Sequence, residues 1–179
     1  MTSHKKTAFI VWGPQGCGKS IVFKKLPKDT IPIQVDDIVQ FKHGKTAIPN
    51  QATYWKIRSQ PCVDEIQEYL RHLGHETHKN IAFEATGNNV DTDWLTKLSE
   101  HFEVKIIIVY VDSEAKLRER LAKREQQSNL IPENYPNAYE NNIGTLLHCK
   151  AVHSIDIYNN SNNNPNRGEY ILTMTQNAH

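Results

Sequence analysis

The stretch IVWGPQGCGKS, residues 10–20, decides the fold of this chain. An apolar run that starts at Thr7 stops at Gly13, and three glycines fall within six positions ahead of Lys19 and Ser20. These residues match the pattern G-x-x-x-x-G-K-S/T, with a predicted strand before it and a predicted helix after it. Glycine permits the positive φ angles at which successive backbone N–H groups face one anion. The stretch therefore predicts a loop that cradles the phosphates of a nucleoside triphosphate.

The residues of this loop have separate expected roles. Lys19 is expected to reach the β- and γ-phosphates, and the Ser20 hydroxyl is expected to bind Mg²⁺. The helix that follows adds free N–H groups and the positive end of its dipole. The other positions expected at the phosphates are Gly13, Gln15, Gly16, Cys17 and Gly18. The bound species predicted by this pattern is ATP or GTP with Mg²⁺.

Length and composition predict one domain over residues 1–179 and no membrane partner. The chain has 179 residues, 38% of them apolar, a net charge of +1 and a mean hydropathy of −0.62. No apolar run approaches the roughly 18 residues of a membrane helix, and the N-terminal apolar run is too short for a signal peptide. We therefore expect a cytoplasmic protein. The near-neutral charge disfavours a long nucleic-acid footprint. The sequence does not define an oligomeric state.

Strand and helix patterns alternate along the chain, which is typical of an α/β sandwich. The nearly continuous apolar runs predict strands buried on both faces of a parallel sheet. The predicted strands are Thr7–Trp12, Ile31–Val35, Asn80–Ala85, Val104–Val111 and Ser154–Tyr158, with Glu169–Thr175 as a further edge strand. The predicted helices span residues 19–26, 62–74, 91–102, 112–127 and 137–150.

Two aspartates, Asp36 and Asp37, come directly after the second predicted strand. In open α/β sheets, ligands bind beyond the carboxyl ends of the strands. A carboxylate there can accept the proton of an acceptor hydroxyl, as a kinase base does. The alternative is a helix N-cap, a position at which aspartate is favoured. The pair allows both roles.

The segment IAFEATG places Glu84 and Thr86 at the end of an apolar strand. Glu84 is a candidate to order Mg²⁺ through water or to hold the acceptor hydroxyl, and Thr86 is a candidate acceptor contact. The alternative for Glu84 is a solvent-facing position on an edge strand. The three apolar residues before it favour a central strand and a functional position.

Two arginines, Arg120 and Arg124, lie four residues apart on a predicted helix, and neither has an acidic residue three or four positions away. Charged helices usually present a solvated face of paired side chains. Arginines without such partners favour an external anion, for which a transferring γ-phosphoryl group is a candidate. With the polar, proline-marked segment that follows, residues 113–136 are predicted to form a lid. The asparagine-rich segment 159–166 is predicted to be a mobile loop.

The motifs GPQGCGKS, VDDIV, FEATG, RLAKR and IDIYNNS occur in the order seen in small P-loop kinases. Over residues 7–160 the chain resembles the zeta-toxin-like kinases and the 5′-polynucleotide kinases. The resemblance implies a parallel sheet in the order 2-3-1-4-5 with helices on both faces. It implies that Asp36 is the catalytic base, with Asp37 as the second choice, and that Arg120 and Arg124 are lid arginines.

The resemblance also implies that Tyr158 and Asn160 lie near the purine base. One position departs from the pattern, because these families often place a basic residue three positions after the catalytic aspartate, on the acceptor side. Val39 stands there in this chain. Lys56 or Arg58 is expected to supply the missing contact with the acceptor.

These observations predict a kinase that transfers the γ-phosphate of ATP or GTP to an acceptor hydroxyl. A polynucleotide 5′-OH, a nucleotide sugar and a small metabolite all remain as acceptors. The alternative is a nucleotide-switched binding module or GTPase without phosphotransfer. That class needs a guanine-reading motif of the N-K-x-D kind, which this sequence lacks. A third alternative is an inactive nucleotide-binding scaffold, against which the intact Lys19 and Ser20 argue.

Overall fold

The computed structural model describes residues 5–44, 61–75, 79–86, 90–124, 131, 135, 137–162 and 169–175. The strands in these ranges are β1 (Lys6–Trp12), β2 (Ile31–Ile33), β3 (Ile81–Ala85), β4 (Phe102–Tyr110), β5 (Val152–Asn159) and β6 (Glu169–Thr175). The helices are α1 (Lys19–Phe23), α2 (Val35–His43), α3 (Val63–His72), α4 (Thr92–His101), α5 (Glu114–Ala122) and α6 (Asn137–Leu147). Within these ranges no helix combines the length and the apolar character that crossing a membrane requires.

The described strands form one sheet in the order β2-β3-β1-β4-β5-β6. The first five are parallel to their neighbours, and β6 pairs antiparallel with β5. The predicted order 2-3-1-4-5 is therefore present, with β6 added at one edge. Because β1 lies between β3 and β4, the loop that leaves β1 emerges at the middle of the sheet, where ligands bind in this class of fold.

Consecutive buried residues in the central strands show that both faces of the sheet are covered. Ile10, Val11 and Trp12 follow one another in β1, and each is at most 3% exposed. Since successive side chains of a strand point to opposite faces, such runs require packing partners on both sides. In β4, residues 106–109 are all buried. The predicted α/β sandwich with helices on both faces is confirmed.

Several predicted boundaries are wrong, and local backbone conformation gives the reason for three of them. The second strand ends at Ile33 rather than Val35, because the extended Gln34 is the N-cap from which α2 begins. Phe102 does not complete the helix predicted over 91–102, since its φ of −128° and ψ of 153° start β4. The first helix ends at Phe23, and a turn with Pro27 follows in place of a further helical turn.

The asparagine-rich segment 159–166 is not a loop throughout. Asn159 is the last residue of β5, and Asn160 is 1% exposed. The Asn159 side chain accepts a hydrogen bond of 3.0 Å from the Ser161 backbone N–H, which stabilises the turn after the strand. The remaining part, 163–166, lies outside the described residues, as does much of the predicted lid.

Candidate functional site

The glycine-rich loop has the backbone geometry that the sequence predicts. The Gly13 N–H donates to the Ala85 carbonyl at 3.0 Å, which ties the start of the loop to the end of β3. Gly16 has a φ of +84° and Gly18 a φ of +100°, both in the region that favours glycine. Helix α1 then starts at Lys19. Backbone of this kind presents successive N–H groups to an anion.

Two of the glycines are also required by close contacts. A Cβ at Gly13 would lie 2.6 Å from Cys17 Sγ and 2.8 Å from the Val109 carbonyl oxygen. A Cβ at Gly18 would lie 2.3 Å from Asn160 Nδ2. Each distance is far shorter than a van der Waals contact, so a larger residue would displace the loop.

The substitution Gly18→Ala is expected to destabilise the fold and to weaken nucleotide binding. The left-handed backbone costs alanine about 1–2 kcal/mol, and the clash with Asn160 adds to that cost. Thermal unfolding and nucleotide affinity measure the two effects. Gly74→Ala is the matched control, because Gly74 has a φ of +73°, and apart from its chain neighbours no atom of the described residues lies within 4 Å of the added Cβ. Equal losses in both variants would contradict the contact with Asn160.

Lys19 lies folded back over its own loop. Its Nζ donates to the carbonyl oxygens of Gly13 at 2.7 Å and Pro14 at 3.2 Å, and the side chain is 6% exposed. Nζ is also 3.3 Å from the Glu84 carboxylate, whose side chain is 44% exposed. The ammonium group is therefore held between the loop and the end of β3.

Glu84 lies on a central strand, because β3 runs between β2 and β1. The alternative of an edge-strand position is therefore wrong. Ser20 is exposed at the first turn of α1 and Thr86 is half-buried beyond β3. Hydroxyl and carboxylate oxygens are the hard donors that Mg²⁺ prefers. Ser20 and Glu84 thus fit a magnesium ion by the chemistry of their donors.

Asp36 and Asp37 lie in the first turn of α2, and neither is its N-cap, which is Gln34. The N-cap alternative for the pair is therefore wrong. Ile33 pairs with Phe83 in the parallel strands β2 and β3, so α2 begins near the carboxyl ends of the strands, where Glu84 also lies. Asp36 is half-buried and Asp37 is exposed.

The two aspartates face different directions. Burial raises the pKa of the Tyr69 hydroxyl, and the negative charge of Asp37 raises it further, so Asp37 lies on the side of α3. Adjacent residues of a helix point about 100° apart. Asp36 therefore points in a different direction from Asp37. Val39, which stands where these families often have a basic residue, is only 2% exposed and belongs to the core.

Arg120 connects α5 to the end of β5. Its Nη2 donates to the carbonyl oxygens of Asn160 at 2.7 Å and Asn162 at 2.8 Å. Its Nη1 is buried and has no hydrogen-bond partner among the described residues. Burial lowers the pKa of the guanidinium, and the nearby Arg124 lowers it further. Arg124 itself is exposed just beyond the end of α5.

Helix α5 packs directly on the glycine-rich loop. A Cβ at Gly16 would lie 3.3 Å from Leu121 Cγ and 3.4 Å from the Leu117 carbonyl oxygen. Burial raises the pKa of the Cys17 thiol to about 11, although the Lys19 charge opposes the rise. Cys17 is therefore a neutral thiol near pH 7, and it adds no negative charge to the loop.

Three predicted site residues have other surroundings or lie outside the described residues. Tyr158 is 8% exposed, and its hydroxyl contacts the Lys25 ammonium group. Lys56 and Arg58, expected at the acceptor, lie in a segment that the structure does not describe.

Tyr139 packs where the loop begins, and its sequence position did not identify it as a residue of the site. Tyr139 of α6 stacks on Trp12 with ring centroids 4.3 Å apart, and its hydroxyl donates to the Val109 carbonyl at 2.9 Å. This side chain packs at the ends of β1 and β4, where the loop begins. Its position in an apolar helical stripe was the one available signal, and that signal indicates core packing alone.

The fold and the loop define a P-loop nucleotide-binding protein. Residues 9–140, more than half of the chain, match the family model described as an AAA domain, and the chain belongs to that family. No curated protein matches the sequence significantly.

Several solved structures resemble this chain at low sequence identity. A chain from the PezAT chromosomal toxin–antitoxin system of Streptococcus pneumoniae is 15% identical, with a TM-score of 0.64 over 100% of this chain and 76% of that one. A chain of the Pnkp1/Rnl/Hen1 RNA repair complex is 19% identical, with a TM-score of 0.49 over 83% and 46%. A sugar kinase from Janibacter sp. HTCC2649 is 15% identical, with a TM-score of 0.47 over 86% and 85%. The first of these, with its TM-score of 0.64, supports the predicted P-loop kinase-like fold.

Proposed function

We propose that this protein is a kinase that transfers the γ-phosphate of ATP or GTP to the hydroxyl group of an acceptor. The observation that carries the proposal is the set of charged groups around one loop. Lys19 and Glu84 meet at 3.3 Å on one side, and Arg120 is docked beside the loop with one guanidinium nitrogen free of hydrogen bonds to the described residues. Cations on both sides of a phosphate loop suit a reaction in which negative charge spreads over the transferring group.

In this proposal the loop amides and Lys19 hold the triphosphate. Lys19 must exchange the carbonyl oxygens of Gly13 and Pro14 for phosphate oxygens when the nucleotide binds. Ser20 and Glu84 would hold Mg²⁺, which neutralises phosphate charge when bound. The exchange of lysine partners needs only side-chain rotation, because Nζ already lies over the loop.

The acceptor side is assigned to Asp36 as the base, with Asp37 as the second choice. Glu84 and Thr86 are proposed to contact the acceptor, and Arg120 and Arg124 are proposed to neutralise charge during transfer. Lys56 or Arg58 is proposed to supply the basic contact with the acceptor, because the buried, apolar Val39 cannot provide it. We propose that the chain acts in the cytoplasm as a single domain.

The direct test is transfer of labelled γ-phosphate from ATP and from GTP to a panel of acceptors. The panel contains oligonucleotides with a free 5′-OH, nucleotide sugars, nucleosides and small hydroxylated metabolites. We expect label in one acceptor class, and no transfer by a Lys19→Met variant. Release of phosphate to water alone, with every acceptor present, would favour a nucleotide-switched module instead.

The substitution Arg120→Ala is expected to lower kcat by about 100-fold, because it removes a cation from the developing charge. The affinity for the nucleotide is expected to change only a few-fold. Arg118→Ala is the matched control on the same helix, since Arg118 Nε donates to Glu114 at 2.7 Å and its side chain is 53% exposed. Steady-state kinetics and a thermal unfolding curve for each variant make the comparison. Similar kinetic losses in both variants would rule out the assigned role of Arg120.

A further inference from the structure

Asn160 contacts both the phosphate loop and the lid arginine. It is 1% exposed and follows β5, and its backbone N–H donates to the Tyr110 carbonyl at 2.8 Å. Its side-chain Nδ2 donates to the Cys17 carbonyl at 2.7 Å. Its own carbonyl accepts the 2.7 Å hydrogen bond from Arg120. One buried residue therefore touches the two elements proposed to act on the triphosphate.

The bond to Cys17 fixes the direction of a loop amide. The Cys17 carbonyl oxygen can only accept a hydrogen bond. The amide group of Asn160 therefore turns its nitrogen, which is a donor, toward Cys17, and not its oxygen. In a trans peptide the C=O of one residue and the N–H of the next point in opposite directions. Because the Cys17 carbonyl points at Asn160, the Gly18 N–H points away from Asn160, toward the other side of the loop.

We propose that Asn160 is a positioning residue for the triphosphate, a role that rests on the proposed nucleotide binding. Its side chain holds the Cys17–Gly18 peptide so that the Gly18 N–H is presented to a phosphate. Its carbonyl, together with that of Asn162, holds Arg120 beside the same loop. The resemblance to small P-loop kinases places this residue near the purine base, whereas the hydrogen bonds place its amide against the loop.

A residue that acts through the loop affects every nucleotide alike, since the triphosphate is common to all of them. Calorimetric titration of the wild type, Asn160→Ala and Asn160→Asp with ATP and with GTP tests this. We expect both variants to bind both nucleotides about tenfold more weakly, with the ATP-to-GTP affinity ratio unchanged. Asn160→Asp keeps the shape but replaces the amide donor with a carboxylate oxygen, so it should not rescue binding. Asn141→Ala, an exposed asparagine on α6, is the control and should bind like the wild type.

Three results would overturn the proposal. A changed ATP-to-GTP ratio would show that Asn160 contacts the base, and restored binding in Asn160→Asp would show that it only fills space. Wild-type affinity in both folded variants would remove any role in binding. If thermal unfolding shows that Asn160→Ala does not fold, Asn160→Ser replaces it with the same expected result.

The affinity measurement separates this proposal from the proposed kinase activity. A wild type that binds triphosphate but transfers none would contradict the kinase, while the comparison of Asn160 variants would still decide the positioning role. A wild type that binds neither nucleotide would overturn both.

Discussion

Replacing Lys19 with methionine is expected to lower the affinity for ATP by about 100-fold and to abolish phosphoryl transfer. The ammonium group is the one cation that the structure places inside the loop in the described residues, 2.7 Å from the Gly13 carbonyl and 3.3 Å from Glu84. Hydrogen bonds between charged groups are each worth roughly 1.5–3 kcal/mol, and 2.7 kcal/mol corresponds to about 100-fold in affinity. Methionine keeps most of the buried aliphatic length, so the change removes charge more than packing. Calorimetric titration with ATP measures the effect.

The matched control is Lys24→Met, because Lys24 is an exposed lysine at the end of the same helix. It should bind ATP like the wild type. Thermal unfolding without nucleotide must show that both variants fold. A folded Lys19→Met variant with wild-type affinity would mean that the glycine-rich loop does not hold the phosphates.

Asp36→Asn is expected to lower kcat by about 100- to 10,000-fold while nucleotide affinity survives. A general base contributes this much to proton transfer, and asparagine keeps the shape of aspartate without its basicity. Asp36 is half-buried in the first turn of α2, near the carboxyl ends of the strands, where the loop also lies. Single-turnover transfer and ATP titration separate chemistry from binding.

Asp37→Asn is the internal control for that experiment, since Asp37 is adjacent but exposed on the side of α3. It should keep most of the transfer rate. A larger loss in Asp37→Asn than in Asp36→Asn would reverse the assignment of the base. Equal loss of transfer and of nucleotide binding in a folded Asp36→Asn variant would contradict a role as base at all.

The sequence predicted the phosphate loop and the sheet because both depend on local patterns. The positive φ angles of Gly16 and Gly18 follow from a fixed spacing of glycines, and the buried strands follow from apolar runs. Element ends were less predictable, because single residues decide them. Gln34 and Phe102 each flank a helix and have extended backbones. Residue propensities do not indicate that the helix begins or ends at these two positions.

The contacts that support the site were beyond sequence reasoning because they join distant parts of the chain. The bond from Asn160 to Cys17 spans 143 residues, and that from Tyr139 to Val109 spans 30. An asparagine-rich run indicates a loop by composition, and nothing in it distinguishes the one asparagine that becomes buried. Tertiary packing selects that residue, so its role emerges only from the folded chain.

The most direct test of the central claim is a crystal structure of the protein with Mg²⁺ and a non-hydrolysable ATP analogue. We predict the triphosphate on the amide groups of residues 13–19, with Lys19 Nζ released from the Gly13 and Pro14 carbonyls and bound to the β- and γ-phosphates. A triphosphate bound elsewhere, with Lys19 still on those two carbonyls, would contradict the account.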